Sequence, residues 1–461
     1  MTTTDPVMTT DPAAWAAAGA AVFAWLVLTL ATVWSVTRSR QAERDRSTAL
    51  AAEAGDGATV VAFASQTGMA EDLARMTARA LSDAGETAVV VSFAELDLTM
   101  LKATRRALLV VATTGEGDAP DSATRVVHRV MEQAATLPDL SYGMLALGDR
   151  SYKDYCGFAH AVDGWLKRSG AEPLFDLIEV DDADPDAIRH WQHQLNALTG
   201  SNAATDWTPA AYSPWRLESR TLVNAGGPGG EAWRLRLVPV GDLPDWRAGD
   251  IAEIGVPGPD GGTALAARDY SIASLPYEGG LELLVRLMSH PDGTPGLASG
   301  WLTRTVSVGG DVPVRIRTNS GFHGPSAKAP MILIGNGTGI AGLRAHLVER
   351  PQADAWLMFG ERSREHDAFF DDDLQAWLAD GRLAQLDRTF SRDANDGRYV
   401  QALIDEHADA VRDWVDRGAA IYVCGSLEGM ATGVHAALER ALGSDALISL
   451  SEDGRYRRDI Y

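Results

Sequence analysis

Residues 268–274 read Arg-Asp-Tyr-Ser-Ile-Ala-Ser. In an extended strand side chains alternate between faces, so Arg268 and Tyr270 share one side. A guanidinium fork suited to phosphate oxygens then lies beside a ring suited to stacking, with the Ser271 hydroxyl next to it. Such a strand can hold a flat group bearing a pyrophosphate, and a flavin dinucleotide fits. An ordinary surface strand is the competing reading, so the flanking sequence has to decide.

Around that stretch, residues 213–326 are rich in Gly, Pro and β-formers, with runs at Trp233–Val238, Ile251–Val256, Leu281–Met288 and Val312–Arg317. This predicts a small antiparallel barrel. On either side the pattern changes to short apolar strands alternating with longer amphipathic stretches, which predicts parallel α/β domains at 59–198 and 327–461. In the first of these, strands are expected at Val60–Phe63, Ala88–Ser92, Leu108–Ala112, Met144–Leu147 and Leu174–Glu179. A Gly, Ser, Asn, Asp and Pro stretch at 199–212 reads as a linker.

The length of 461 residues suits about three domains. A formal net charge of -22 argues against nucleic-acid binding, which needs clustered cations, and leaves a basic protein partner open. The two cysteines, Cys156 and Cys424, form no spaced framework, and no metal-ligand spacing is present, which suits a reducing compartment. Residues 13–36 carry no charge and are long enough to span a bilayer, after a short tail at 1–12. Arg38, Arg40, Arg44 and Arg46 follow in a tether at 37–58, which predicts a single-pass membrane helix with the later domains facing the cytoplasm.

Three loops in the first α/β domain carry polar chemistry. Strand Val60–Phe63 runs into Ser65-Gln66-Thr67-Gly68-Met69-Ala70 ahead of a helix, and a helix start with hydroxyls and free N–H groups makes an anion site. The lysine of a nucleoside-triphosphate loop is missing, so a terminal monophosphate fits better. Thr113-Thr114-Gly115-Glu116-Gly117 and Leu147-Gly148-Asp149, with Tyr152, Tyr155 and Cys156, follow the next two strands. In a doubly wound sheet all three loops meet at the carboxyl edge, where ligands bind, and Tyr152 or Tyr155 could stack on a ring.

These loops resemble the FMN-binding loops of flavodoxin. Together with 268–274, residues 59–461 resemble the diflavin reductases, a family that includes the sulfite reductase flavoprotein component and the NADPH-hemoprotein reductases. The resemblance implies a flavodoxin-like domain followed by a ferredoxin-reductase-like module, with FMN, FAD and NADPH as cofactors. It assigns Arg268 and Tyr270 to FAD, joined by Gly296-Leu297-Ala298-Ser299. For nicotinamide binding it implies Gly337, Thr338 and Gly339, then Ser391 and Arg392 with Tyr399 and Gln401 at the 2′-phosphate. The family's lysine falls on Gly397, one place before Arg398, the remaining candidate cation. It further implies that Ser271, Cys424 and Asp459 assist hydride transfer and that Tyr461 stacks over the FAD ring.

This chain departs from the family at three further places. Asn336 and Gly342 stand where prolines are usual, which predicts a looser turn. A helical insertion of the FAD region has no room here, so a flavodoxin unit held by its linker alone is expected. The reading that follows is a membrane-anchored NADPH reductase that serves a basic haem protein through an acidic face of Glu116, Asp118, Asp121, Asp149 and Asp154. The flavoprotein component of sulfite reductase, serving its haem subunit, is the alternative. Further rivals are a ferric or quinone reductase and a non-catalytic, flavin-bound docking protein.

Overall fold

Strand β1 (Thr59–Ala64) is buried along its whole length, as expected of a strand that is apolar after Thr59 and covered on both faces. It pairs in parallel with β2 (Ala88–Ser92) and β3 (Arg106–Ala112), and β3 pairs with β4 (Ser141–Gly148). The order β2-β1-β3-β4 is that of a doubly wound sheet. The computed structural model describes residues 57–200, 211–257, 265–352 and 354–461.

The fifth strand differs from expectation. Instead of one strand over 174–179, two short ones, β5 (Glu172–Pro173) and β6 (Ile178–Asp181), pair with the two ends of β4. Pro173 has no N–H to continue the ladder. Phe175 turns inward instead, its ring 5.6 Å from that of Trp191. It fills the space over Gly143, where a Cβ would come within 2.4 Å of it. The closing helix, Pro185–Thr199, starts at Asp184, whose carboxylate accepts the Asp186 N–H at 3.0 Å, with proline in the first turn.

The middle region is a six-stranded antiparallel sheet in the order β10-β9-β12-β7-β8-β11. Its strands are β7 (Ser213–Leu222), β8 (Ala232–Pro239), β9 (Ile251–Pro257), β10 (Leu265–Ser271), β11 (Leu281–Arg286) and β12 (Asp311–Arg317). Its two edges approach just past β10, where the Ala273 N–H donates to the Glu282 carbonyl at 2.8 Å. The last region is a five-stranded parallel sheet, β15-β14-β13-β16-β17. It comprises β13 (Met331–Asn336), β14 (Ala355–Glu361), β15 (Gln385–Phe390), β16 (Ala420–Gly425) and β17 (Tyr456–Ile460).

One hydrophobic cluster runs without a break from barrel residues such as Trp215 and Leu283 to Leu333, Leu357 and Cys424, so barrel and second α/β unit share a core. The clusters of the first unit contain only its own residues, among them Val60, Phe93, Leu145 and Trp191. That unit joins the rest through polar groups. Arg458 forks onto the Asp121 carboxylate, and Arg129 reaches Glu452 with contacts of 2.9 to 3.0 Å. Arg317 Nε donates to the Thr67 carbonyl at 3.0 Å, and Ser320 Oγ to Glu71. Gly68, at φ +85°, lies so near that a Cβ would be 2.2 Å from the Thr318 oxygen. The unit expected to hang on its linker alone is docked.

Residues 1–56, which include the segment expected to span a membrane, lie outside the described residues, as does 201–210 of the linker. The membrane localisation expected from that segment is corrected. Among the described residues no helix is long and apolar enough to cross a membrane. The helices Met69–Asp83 and Pro185–Thr199 have 15 residues each, about 22 Å at 1.5 Å per residue, short of a ~30 Å hydrocarbon layer.

Candidate active site

The three loops of the first unit do converge. They line a cavity of about 560 Å³ at the carboxyl edge of the sheet, walled by Ser65, Gln66, Thr67, Met69, Ala70, Thr113, Thr114, Gly115, Leu147, Gly148, Asp149, Tyr152, Tyr155 and Cys156. Ser65 Oγ accepts the Gly68 N–H at 2.9 Å, which fixes the first turn ahead of the helix. Cys156 is buried at φ +53°, and Gly148 must be glycine because a Cβ there would be 2.9 Å from its sulfur. Burial, then the neighbouring Cys156, pushes the Tyr155 hydroxyl up to about 12. Among the described residues, Thr113 Oγ1 and the Tyr155 hydroxyl are both buried here without a hydrogen-bond partner. Two orphaned polar atoms in a ring-sized cleft are what a flat ligand with its own polar edge would satisfy.

Gly68, Glu116 and Gly117 do not line this cavity. Gly68 faces the barrel, and the Glu116 carboxylate turns outward to accept the Lys153 N–H at 3.1 Å. Of the acidic face, Asp121 is taken by Arg458. Sequence reasoning missed Asp182 and Ala183, two successive residues at positive φ on the cavity rim, although they follow the last strand where a further ligand loop is expected. It also missed the far wall, which the other region supplies: Asp269, Leu427, Arg458, Ile460 and Tyr461.

Ser271, Cys424 and Asp459 come from three different strands and meet. Cys424 and Asp459 are register partners on β16 and β17. The Asp459 carboxylate accepts Ser271 Oγ at 2.8 Å and the Cys424 thiol at 3.6 Å. Burial, then the Asp459 charge, pushes the Cys424 thiol well above its ordinary range, so it stays protonated and acts as a donor. Burial also raises the Asp459 carboxyl, and the hydrogen bonds from Ser271 and Cys424 oppose that. Gly339 lies against β16, where a Cβ would be 2.2 Å from the Cys424 oxygen; it packs rather than lining a cavity. Gly342, expected to loosen the turn, leaves the room that Cys424 and Ser271 occupy, with its Cβ position 3.3 Å from the sulfur. Asn336 ties the turn instead of loosening it, accepting the Ser426 N–H at 3.0 Å.

On β10 the Arg268 guanidinium is exposed and the Tyr270 ring is half-buried against the barrel core. The turn Gly296-Leu297-Ala298-Ser299 is closed on Met288, whose N–H donates to Ser299 Oγ at 3.1 Å and whose carbonyl accepts from Gly296 at 2.8 Å. Tyr461 is half exposed, with its hydroxyl 3.1 Å from Thr338 Oγ1. It lines the first cavity and also a second one of about 800 Å³, so its ring is a wall common to both.

The second cavity gathers Gly337, Thr338, Ser391, Arg392, Tyr399 and Gln401, as the sequence suggested, and adds Arg286, Glu361 and Arg362. Arg398 does not reach it, because its guanidinium is held by Asp396 at 2.7 Å and Glu406 at 2.6 Å. The cavity's backbone N–H groups, hydroxyls and arginines fit a phosphorylated dinucleotide.

A flavodoxin-type unit facing a barrel and a parallel α/β unit with a shared core defines a flavin- and nicotinamide-dependent oxidoreductase. The flavodoxin family matches residues 61–191, and the oxidoreductase NAD-binding domain matches residues 333–436. The chain is similar to the sulfite reductase [NADPH] flavoprotein alpha-component of Vibrio cholerae, 26% identical over 89% of this chain and 88% of that protein. The protein of the same description from Bacillus subtilis is 26% identical over 87% and 89%, and that of Neisseria meningitidis 27% over 87% and 89%. These matches support the diflavin reductase family for this chain, and its cofactors are FMN, FAD and NADPH. The Vibrio cholerae alignment spans 548 positions, more than the 461 residues of this chain, so that relative carries segments with no counterpart here.

Proposed function

We propose that this NADPH-dependent diflavin oxidoreductase is the flavoprotein component of a reductase of the sulfite reductase kind, delivering electrons to a haem-protein subunit. In this reading residues 59–198 hold FMN, 213–326 form the FAD barrel and 327–461 take NADPH. The relatives named above support this acceptor over a haem-thiolate protein. The single observation that carries the relay is Tyr461, the common wall of the two cavities. When bound, NADPH supplies a hydride to FAD, and FMN hands electrons on one at a time.

The protein groups do the positioning. Ser271 and Cys424 point a hydroxyl and a thiol at one carboxylate, so their own orientations are fixed by Asp459. Asp459 places negative charge where positive charge develops on the nicotinamide, in a spot that water does not reach. Tyr461 would cover the ring face that the nicotinamide needs, and among the described residues the one side-chain hydrogen bond it would have to release is that to Thr338.

The test is reconstitution. Purified protein is expected to carry FMN and FAD in equal amounts, to be bleached by NADPH, and to support sulfite-dependent NADPH oxidation once a sulfite reductase haem subunit is added. Bleaching without any transfer to that subunit would point to another acceptor. A protein that holds flavin but is not bleached would be the docking protein instead.

A further inference from the structure

We propose that Arg362 is a second cation for the 2′-phosphate of NADPH, seated beside Arg392, and that it supplies the charge Arg398 cannot. The proposal rests on the assignment of the second cavity to NADPH. The ends of β14 and β15 lie side by side there: the Ser391 N–H donates to the Glu361 carbonyl, and the Arg392 N–H to the Arg362 carbonyl, both at 2.8 Å. This brings two arginines and the Ser391 hydroxyl to one edge of the cavity, next to the exposed ring of Tyr399. Among the described residues neither guanidinium has a carboxylate within ion-pair distance, whereas nearby Arg388 and Arg398 are paired.

The one acid in the cavity is neutralised. Glu361 ends the strand after the glycine loop, the position from which a carboxylate binds a ribose 2′-OH and disfavours a phosphate in many dinucleotide folds. Here Arg286, reaching over from the barrel, pairs with Glu361, whose side chain is only 5% exposed. Arg286 and Glu361 cancel, leaving Arg362 and Arg392 to face a phosphate monoester that carries nearly two negative charges at neutral pH.

Arg362 owes its place to Gly229 in the loop between β7 and β8. Its side chain lies against that residue, and a Cβ on Gly229 would come within 2.0 Å of Nη1. Gly229 is not at positive φ, so alanine there leaves the backbone unstrained and displaces only the arginine.

The experiment is calorimetric titration of the flavin-loaded protein with 2′,5′-ADP and with 5′-AMP, which differ by the phosphate in question. Arg362→Gln is expected to weaken 2′,5′-ADP about tenfold or more and 5′-AMP less than about twofold. Gly229→Ala is expected to shift the same ratio in the same direction. Equal losses for both nucleotides, or none, would overturn the role of Arg362. Arg392→Ala separates the two levels of the argument. If it abolishes the preference while Arg362→Gln does not, only Arg362 falls. If neither variant changes it, the cavity does not bind NADPH.

Discussion

Removing the Asp121 carboxylate should undock the flavodoxin unit without disturbing the cluster of Ser271, Cys424 and Asp459. Arg458 grips that carboxylate with two nitrogens, its Nε lying 3.0 and 3.1 Å from the two oxygens. The arginine side chain is 30% exposed and the aspartate 15%. Burial alone would ease loss of the guanidinium proton, but Asp121 outweighs it and holds that proton more tightly than usual. Exposed pairs contribute up to about 1 kcal/mol, and breaking a fully buried pair costs about 3–5 kcal/mol. For a pair between those limits, Asp121→Ala should cost about 2 kcal/mol of docking, roughly a thirtyfold shift toward the open arrangement. Small-angle scattering at low salt reads the open fraction, and stopped-flow absorbance reads flavin bleaching by NADPH. The variant should be more extended, keep its first bleaching phase and slow the later one. Added salt should bring the wild type toward the variant, because the contact is screened. A variant with unchanged scattering at low salt would refute this account of the interface.

Three further outcomes follow from the same structure. Burial, with Arg350 and His323 adding to it, holds the His346 ring down to about 3. The unfolded chain binds a proton near pH 6.5 that the folded chain refuses, so stability is complete above that pH and declines below it, by up to about 1.4 kcal/mol per pH unit. Urea melts of His346→Phe between pH 5 and 7 should show a shallower decline; equal slopes would contradict this. Cys424→Ala should leave both flavins bound and slow NADPH bleaching about tenfold or more, the scale of a lost positioning contact; an unchanged rate would remove Cys424 from the hydride site. Deleting Tyr461 should alter the NADPH/NADH preference and turnover with FAD retained, and an unaltered ratio would show that its ring does not gate the nicotinamide.

Sequence made the local chemistry of each unit readable. Ser65 to Ala70 announced an anion loop because strand, hydroxyls, glycine and helix are contiguous. Thr113 to Gly115 and Leu147 to Cys156 could be placed beside it because a doubly wound sheet puts such loops on one edge. What could not be read were side chains arriving from elsewhere. Arg458 and Asp269 wall the first cavity from a different unit, and Arg286 and Arg362 enter the second from a barrel edge and a neighbouring strand end. Arg398 was misplaced for a related reason: proximity to Tyr399 in sequence said nothing of Asp396 and Glu406 competing for its guanidinium. The break in the fifth strand came from Phe175 packing over Gly143, which strand periodicity does not encode.

The relatives' extra segments raise the question of what orients the flavodoxin unit here, and β17 gives a physical answer. Side chains alternate along a strand, so consecutive residues serve opposite neighbours: Arg458 reaches Asp121, while Asp459 receives Ser271 and Cys424. The backbone joins in, since the Arg458 carbonyl accepts the Gln66 side-chain amide at 2.5 Å. One short strand therefore touches the Ser65–Ala70 loop through Gln66, the Ser271–Cys424–Asp459 cluster and, through the adjoining Tyr461, Thr338. Barrel and nucleotide unit are fused by a continuous apolar core, whereas the flavodoxin unit shares no apolar cluster with them among the described residues. A contact of ion pairs and backbone acceptors exposes no large apolar surface when it opens, so it lacks the main term that makes domain contacts permanent. The arrangement suits a unit that must meet one flavin site and then present its own cavity elsewhere, and Asp121 cannot serve Arg458 and a basic partner at the same time.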